Sequence, residues 1–347
     1  MTHDLLKKEK PVKIRHGESY WSLVRRQFWK YRLNRIALVI MGGIVLVALF
    51  ADFLASDKPI YVELDGESYW FPNVLDPAEL RIYDNQLLEE RLGPGDFAIF
   101  PVVPYGYNTH DLGAVLTGPN DAHLLGTDQS GRDVMSRVIH GSRVSLAVGV
   151  LAVVVLTMIG VLLGSLAGFY GGVMDGVVSR LIEILQSMPT ILLLATMIAV
   201  IAPSGWNAVM AIMLVIGVVR WTTVARLIRA EILRVKSLDY VEAARALGLE
   251  NFRIIVRHVI PNSISPVLVS ATFAMANAVL LEGILSFLGF GIPPDMASWG
   301  GLLNGVRGNY EAWWLAVFPG FAIFLTVTVY NLAGEGLRDA IDPRLKT

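Results

Sequence analysis

Glu282 is the residue of this chain whose position most directly raises a chemical question. It is the one acid deep within an apolar stretch, and no second acid or histidine accompanies it there to make a proton relay, since Glu183 falls near the end of its own run. An ionisable side chain is expensive in hydrocarbon and usually faces a partner or a water-filled path. Glu282 therefore reads equally as a satisfied structural carboxylate and as a gate or pathway residue. Other chemistries fail on residue types. The six histidines (His3, His16, His110, His123, His140 and His258) have no ligand spacing, and there is no cysteine, so no metal site is expected. No nucleophile–base arrangement and no nucleic-acid module is visible. A phosphate-binding loop needs a Gly-Lys pair whose backbone and ammonium hold the phosphates, and no lysine here follows a glycine. No catalytic residue is expected, and if ATP drives this protein a separate polypeptide must bind it.

The elements that must hold Glu282 are membrane helices. Of 347 residues 54% are hydrophobic and 17% charged, with a mean hydropathy of +0.54; a soluble domain carries about a quarter charged residues. The apolar residues form long runs, and a span needs roughly 20 of them. Six spans are predicted: 36–55, a second within 144–174, a third from 184 that begins near Asp175 and is kinked by Pro189, a fourth ending at Val219, a fifth at 263–291 and a sixth at 312–334. Pro203-Ser204-Gly205 separates the third from the fourth. Lysine and arginine stay on the cytoplasmic side. Residues 1–36 hold ten of them against three acids, residues 220–262 eight against four, and residues 56–141 five against fourteen. Both termini and the 220–262 loop are thus expected inside, and the acidic 56–141 segment outside. Glu282, about 19 residues past Ser263 and so roughly 28 Å along its helix, falls near the outer leaflet. The organisation reads as a basic amino terminus (1–35), a first span (36–55), an exterior insert with an interfacial helix (56–141), a five-helix core (142–334) and a cytoplasmic tail (335–347). The basic amino terminus is a positive-inside anchor, with anionic lipid as a lesser partner.

Between the fourth and fifth spans lies YVEAARALGLENFRIIVRHVIPN, residues 240–262. Asp239 with Glu242 makes a capping-box-like start, Gly248 is a natural stop, and Asn251 is placed to cap a second helix in which Phe252, Ile255, Val256 and Val259 share a face. Pro261 closes it. Ala243, Ala244 and Ala246 keep the first helix shallow, which suits docking into another protein's groove. In "GTDQSGRDVMSRVIHGSR", Ser130 and Asp133 are placed to cap a short interfacial helix leading into the second span. Gly160, Gly164, Gly168 and Gly172, spaced by four, form a smooth stripe that lets another helix approach, whether of this chain or of a partner.

Glu242-Ala243-Ala244, Gly248 and Pro261 have the spacing of the EAA motif, and on this the chain resembles the permeases of bacterial ABC importers. Further blocks narrow the resemblance to the C-type subunit of dipeptide and oligopeptide permeases: Arg32 with Asn34-Arg35, Leu125-Gly126-Thr127-Asp128, Gly131-Arg132-Asp133, Leu285 to Gly291, Ser298-Trp299-Gly300, Gly336-Leu337-Arg338-Asp339 and Asp342-Pro343-Arg344. It covers nearly the whole chain outside roughly 57–122. The exterior insert is longer than is usual in that family and looks like the branch associated with microcin C-type and larger peptide cargo. Asp295-Met296-Ala297 stands where Pro-rich sequence is more usual. The resemblance implies an all-α, six-span permease of the type I importer fold, in which loop 238–262 is the coupling element and Glu242, Ala243, Ala244, Gly248 and Pro261 contact an ATPase. It implies as partners a homologous second permease, two cytoplasmic ATPases that carry the ATP and magnesium, and an exterior solute-binding protein. No cofactor is expected in this chain. Relatives carry peptides, microcin-like peptides, nickel complexes, glutathione or oligosaccharides. A secondary transporter working alone would need midplane coupling residues and inverted repeats, which the sequence lacks. A sensor would need an output domain longer than the roughly 13-residue tail.

Overall fold

The computed structural model describes residues 20–201 and 205–341; Pro203-Ser204, Asp342-Pro343-Arg344 and most of the basic amino terminus lie outside them. The chain enters through α1 (Tyr20–Lys30) and α2 (Arg32–Leu49), then α3 (Ala51–Leu54) after a break at Phe50. The insert follows, with α4 (Pro72–Leu75) and α5 (Asn85–Arg91) packed on three short strands, β1 (Tyr61–Leu64), β2 (Glu67–Trp70) and β3 (Phe97–Ile99). The strands pair antiparallel in the order β2-β1-β3, with Tyr61 opposite both Trp70 and Ile99. Asp65 and Gly66, both at positive φ, make the two-residue hairpin turn that an Asp-Gly pair favours. Val62, Leu80 and Leu88 are the buried centre of this small layer. The insert is therefore folded, not a long loop.

The bundle begins with α6 (Val134–Tyr170). Then come α7 (Gly172–Ser187), α8 (Thr190–Ile201), α9 (Trp206–Arg220) and α10 (Thr222–Val235). The block that follows comprises α11 (Asp239–Ala246), α12 (Asn251–Ile254), a π turn (Ile255–Val259) and α13 (Ile260–Ser263). The chain closes with α14 (Ser265–Phe287), α15 (Trp299–Asn304) and α16 (Trp314–Ile341). Four helices, α2, α6, α14 and α16, are long and apolar enough to cross a membrane; α7 with α8 and α9 with α10 bring the number to six if each bent pair is one span.

Several sequence expectations are corrected here. The third span is not merely kinked: α7 and α8 meet at 91°. Pro189 has no N–H to continue the ladder and pushes the residue before it to extended backbone, and Met188 sits at φ −98°, ψ 139°. α9 reaches Arg220 and α10 follows it after a 42° bend, and the two make one span only if the bent pair is counted as one. The interfacial helix before the second span does not exist separately. Asp133 caps α6 itself, its carboxylate accepting from the Ser136 N–H at 2.7 Å, and Val134 is fully buried. Ser130 lies in the turn before it, held to Asp128. Gly172, counted in the glycine stripe, lies past the end of α6 at φ +53° with open space around it.

The other three stripe glycines form one seam. A Cβ at Gly160 would lie 2.7 Å from Val224 Cβ, one at Gly164 2.8 Å from Ala225 Cα, and one at Gly168 3.0 Å from the Arg229 carbonyl oxygen. All three contacts are with α10, so the stripe packs within the chain. Asp175 on α7 holds Arg229 on α10 bidentately, at 2.5 and 2.7 Å. Lys236 donates to the Gly168 carbonyl at 2.8 Å, where α6 leaves orphan acceptors.

Candidate functional site

At the end of the bundle opposite the insert, residues 239–263 are presented on α10 and α14. α11 ends in a Schellman arrangement: the Gly248 N–H reaches the Arg245 carbonyl and the Leu249 N–H the Ala244 carbonyl, with Gly248 at φ +78°. That is the left-handed residue such a cap requires. Its start differs from the expected capping box, because Leu238 is the N-cap and no side chain caps. Val241 and Ala244 are buried in the main core, while Glu242, Ala243, Ala246 and Gly248 are exposed. The triad expected to act together is thus split, with Ala244 facing its own bundle and Glu242 and Ala243 facing out.

The second helix also departs from its expected face. Glu250, not Asn251, is its N-cap, and the buried residues are Ile254, Ile255 and Val259. Phe252 and Val256 point outward: they lie one turn apart on one side of the helix, and Ile254 and Ile255 take the other. Pro261 does not close the segment; it opens α13 and is exposed. Leu247 and Phe252 are 81% and 72% exposed, and together with Ala243 they give the outer side of the block an apolar surface beside the Glu242 carboxylate. Sequence reasoning missed Leu247, although a leucine just before a C′ glycine at a helix end is the available signal. Arg245 lies over the Phe169 ring, 5.1 Å from its centroid, and so tethers the block to the end of α6.

Glu282 on α14 is fully buried at the other end of the same helix. Ser286 donates to one carboxyl oxygen at 2.8 Å and Ser145 on α6 to the other at 3.1 Å; Ser298 is a third hydrogen-bond partner. Each serine oxygen also accepts a backbone N–H: Ile292 for Ser286, Trp299 for Ser145 and Gly301 for Ser298. An oxygen receiving an N–H turns its own hydrogen elsewhere, so three hydroxyls converge on one carboxyl. Glu282 thereby ties α14, α6 and the 288–301 segment together.

The sequence blocks that carry the family resemblance are brought together in the same way. Arg132 and Arg137 donate to the Pro294 carbonyl at 2.6 and 3.2 Å, and Arg137 also to Met296 at 3.0 Å. Trp314 donates to the Thr127 carbonyl, Trp299 to that of Val138, and Asn34 packs against Gly336 where no side chain would fit. The "GTDQSGRD" segment is a knot between insert and bundle, and Gly131 at φ +72° is required there because a Cβ would strike the Asp111 backbone. At the junction Asp52 is held by His140 at 3.3 Å and Arg143 at 3.0 Å. The His140 hydrogen bond, with Arg143 in support, lowers its pKa to about 2 against the opposing effect of burial. Burial pushes the Asp133 carboxyl up, opposed by the Ser136 N–H and His123.

The structure is thus a helical bundle with up to six candidate spans, an exposed helical block at one end and a folded insert at the other. The chain belongs to the family of binding-protein-dependent transport system inner membrane components, matched over residues 160–347; residues 19–69 match the N-terminal transmembrane domain of oligopeptide transport permease C. It is 40% identical over 330 residues to the dipeptide transport system permease protein DppC of Alkalihalophilus pseudofirmus, covering 95% of this chain and 91% of that one. It is 40% identical over 248 residues to the glutathione transport system permease protein GsiD of Pectobacterium atrosepticum, covering 71% and 81%. Among solved structures, the methionine ABC transporter MetNI in inward-facing form aligns with 60% of this chain and 97% of its own, at 20% identity and a TM-score of 0.46. The protein is a multi-pass inner-membrane permease subunit of the peptide-type ABC importers.

Proposed function

We propose that this chain forms half of a translocation pathway for di- or oligopeptides, with a homologous second permease as the other half. Two cytoplasmic ATPases that carry ATP and magnesium serve the pair, one of them docked on loop 238–262. An exterior binding protein delivers cargo at the insert end. The charge asymmetry of the loops supports the orientation, with 239–263 and both termini inside. The observation that carries the reading is the outward surface of α11 and α12, where Glu242, Ala243, Leu247 and Phe252 are exposed on a block braced by buried Val241, Ala244 and Ile254. A rigid helical surface of that kind transmits a push; closure of the ATPases would move it and, through the α6–α10 seam and α14, rearrange the spans. Peptide is the cargo best supported, because relatives named for dipeptide transport and as peptide permeases align with it.

The test is purification of the tagged chain from its native host in mild detergent, beside the Gly248→Asp variant. An aspartate at φ +78° strains the cap and adds negative charge to the docking face. The wild type should bring P-loop ATPases and a second permease with it, and the variant should lose the ATPases and cargo uptake. Uptake that survives Gly248→Asp would overturn the coupling role.

A further inference from the structure

The sheet of the insert has one covered face and one exposed face. Its register puts Val62 beside Tyr69 and Ala98, on the face that packs against Leu80 and Leu88. Side chains alternate between faces along a strand, so the opposite face carries Tyr61 flanked by Trp70 and Ile99, with Phe97 next along β3, opposite Glu63. The solvated face of an antiparallel sheet is ordinarily polar. Here Trp70 is 63% and Phe97 55% exposed, and Ile99 is exposed between them and the span. An exposed aromatic patch of this kind marks an interaction site.

The patch is continuous with a membrane span. From Phe97 the ring centroids step to Tyr61 at 6.3 Å and to Trp70 at 4.7 Å, then to Phe71 at 6.3 Å. Phe71 meets Phe53 at 5.7 Å, and Phe53 meets Phe50 at 6.1 Å. Phe50 closes α2, an apolar helix long enough to span, on which Val39, Leu46 and Leu49 are exposed. Side chains exposed on a span face hydrocarbon, so the run of rings leaves α2 where the acyl chains end. The polar groups of the same face lie towards the hairpin. Glu63 and Ser68 are paired there, the Tyr61 hydroxyl donates to Ser68 Oγ at 3.3 Å, and Asp65 is exposed at the tip. Rings with an apolar body and a polar rim gather at the membrane–water boundary. The chain of contacts therefore runs from hydrocarbon at Phe50, through Trp70 and Tyr61, to acids that stay in water.

We propose that this face of the insert rests on the lipid surface of the leaflet in which α2 ends, with Trp70, Phe71 and Phe97 at headgroup level and Glu63 and Asp65 turned to water. The insert is then held at a fixed height on the membrane beside the bundle, leaving the α5 side free. The proposal goes beyond the importer reading and needs only that α2 spans. The sequence has no cysteine, so one introduced by Ile99→Cys carries a nitroxide label at a single place. The labelled full-length chain, with whatever subunits purify with it, is reconstituted in vesicles of phosphatidylethanolamine and phosphatidylglycerol. Relaxation is then measured with oxygen, which concentrates in lipid, and with a water-soluble nickel chelate. Val39→Cys on the exposed side of α2 serves as the lipid reference, and Glu89→Cys, exposed on α5, as the water reference. The label at Ile99→Cys should favour oxygen as the one at Val39→Cys does. Adding Trp70→Ser and Phe97→Ser should raise its collisions with the chelate several-fold while melting stays unchanged, since both rings are exposed. If that triple variant fails to reconstitute, Ile99→Cys with Phe97→Ser alone is read against the same references. A label at Ile99→Cys that favours the chelate like Glu89→Cys overturns the proposal. So does one shielded from both reagents, which would mean a protein covers the face, and so does indifference to loss of the rings. Uptake and ATPase recovery play no part in the readout, so the importer reading fails or stands separately.

Discussion

Replacing Gly164 by alanine tests whether the α6–α10 seam sets the position of the docking block. The new Cβ would lie 2.5 Å from Ile228 Cγ2 and 2.8 Å from Ala225 Cα, where carbon atoms rest at about 3.5–4.0 Å. Ile228 and Ala225 are completely buried, and a backbone Cα cannot turn aside as a side-chain tip can, so the helices must separate by about 1 Å. Overpacking of this kind costs about 1–3 kcal/mol, against which alanine returns up to about 1 kcal/mol of helix propensity. Gly168 is the internal control. A Cβ there meets the Arg229 carbonyl oxygen at 3.0 Å and Ile232 at 3.2 Å, so a shift of a few tenths of an ångström suffices and propensity roughly offsets it. Thermal unfolding in one detergent should therefore rank Gly164→Ala well below wild type and Gly168→Ala close to it. In reconstituted vesicles Gly164→Ala should also lower coupled uptake, because α10 leads directly into α11. Equal midpoints for the two variants, or a stabilised Gly164→Ala, would refute the reasoning from close approach.

Three further outcomes are expected. Glu282→Leu leaves three serine hydroxyls without their acceptor, at about 1–3 kcal/mol each when buried, so it should unfold well below wild type, with Glu282→Gln between the two; a leucine variant as stable as the wild type would dissolve the network. Asp52 has its carboxyl pKa lowered from 3.8 to about 2, so its contribution is present above the unfolded value and is lost as pH falls through the folded one. Asp52→Asn should cost about 1 kcal/mol at pH 7 after allowance for screening, and the gap in melting temperature from wild type should close between about pH 4 and pH 2. Leu247→Asp and Phe252→Asp change exposed side chains, so melting should barely move while ATPase recovery falls several-fold in pull-down.

Hydropathy runs placed an apolar helix at each expected span, because about 20 apolar residues in a row have little alternative, but the helices overrun them, α6 beginning at Val134 and α16 ending at Ile341. What they could not give was the size of the break: Pro189 marks where the helix is interrupted, but not the 91° between α7 and α8. The docking block was legible as two helices with a glycine stop. Its faces were not, because apolar residues lie on both sides, Phe252 and Val256 on one and Ile254 and Ile255 on the other, and only packing decides which side is buried. The hairpin in the insert had a local signal in "VELDGESYW", an Asp-Gly pair between alternating residues, that a search for membrane helices passes over. Glu282 could be singled out by its isolation, but its three serines are spread from Ser145 to Ser298 and only the fold assembles them.

The π turn at Ile255–Val259 is one residue of slack between the 239–254 helices and α14. A regular helix advances 100° per residue, and the wider i→i+5 turn absorbs one residue beyond what α geometry would hold. Deleting a single residue there would restore an even helix and leave Leu247 and Phe252 facing nearly as they do now, whereas deleting one from α12, which has no slack, would rotate everything before it by about 100° relative to α14. Chimeras that exchange this block between permeases must therefore match its residue count as well as its surface.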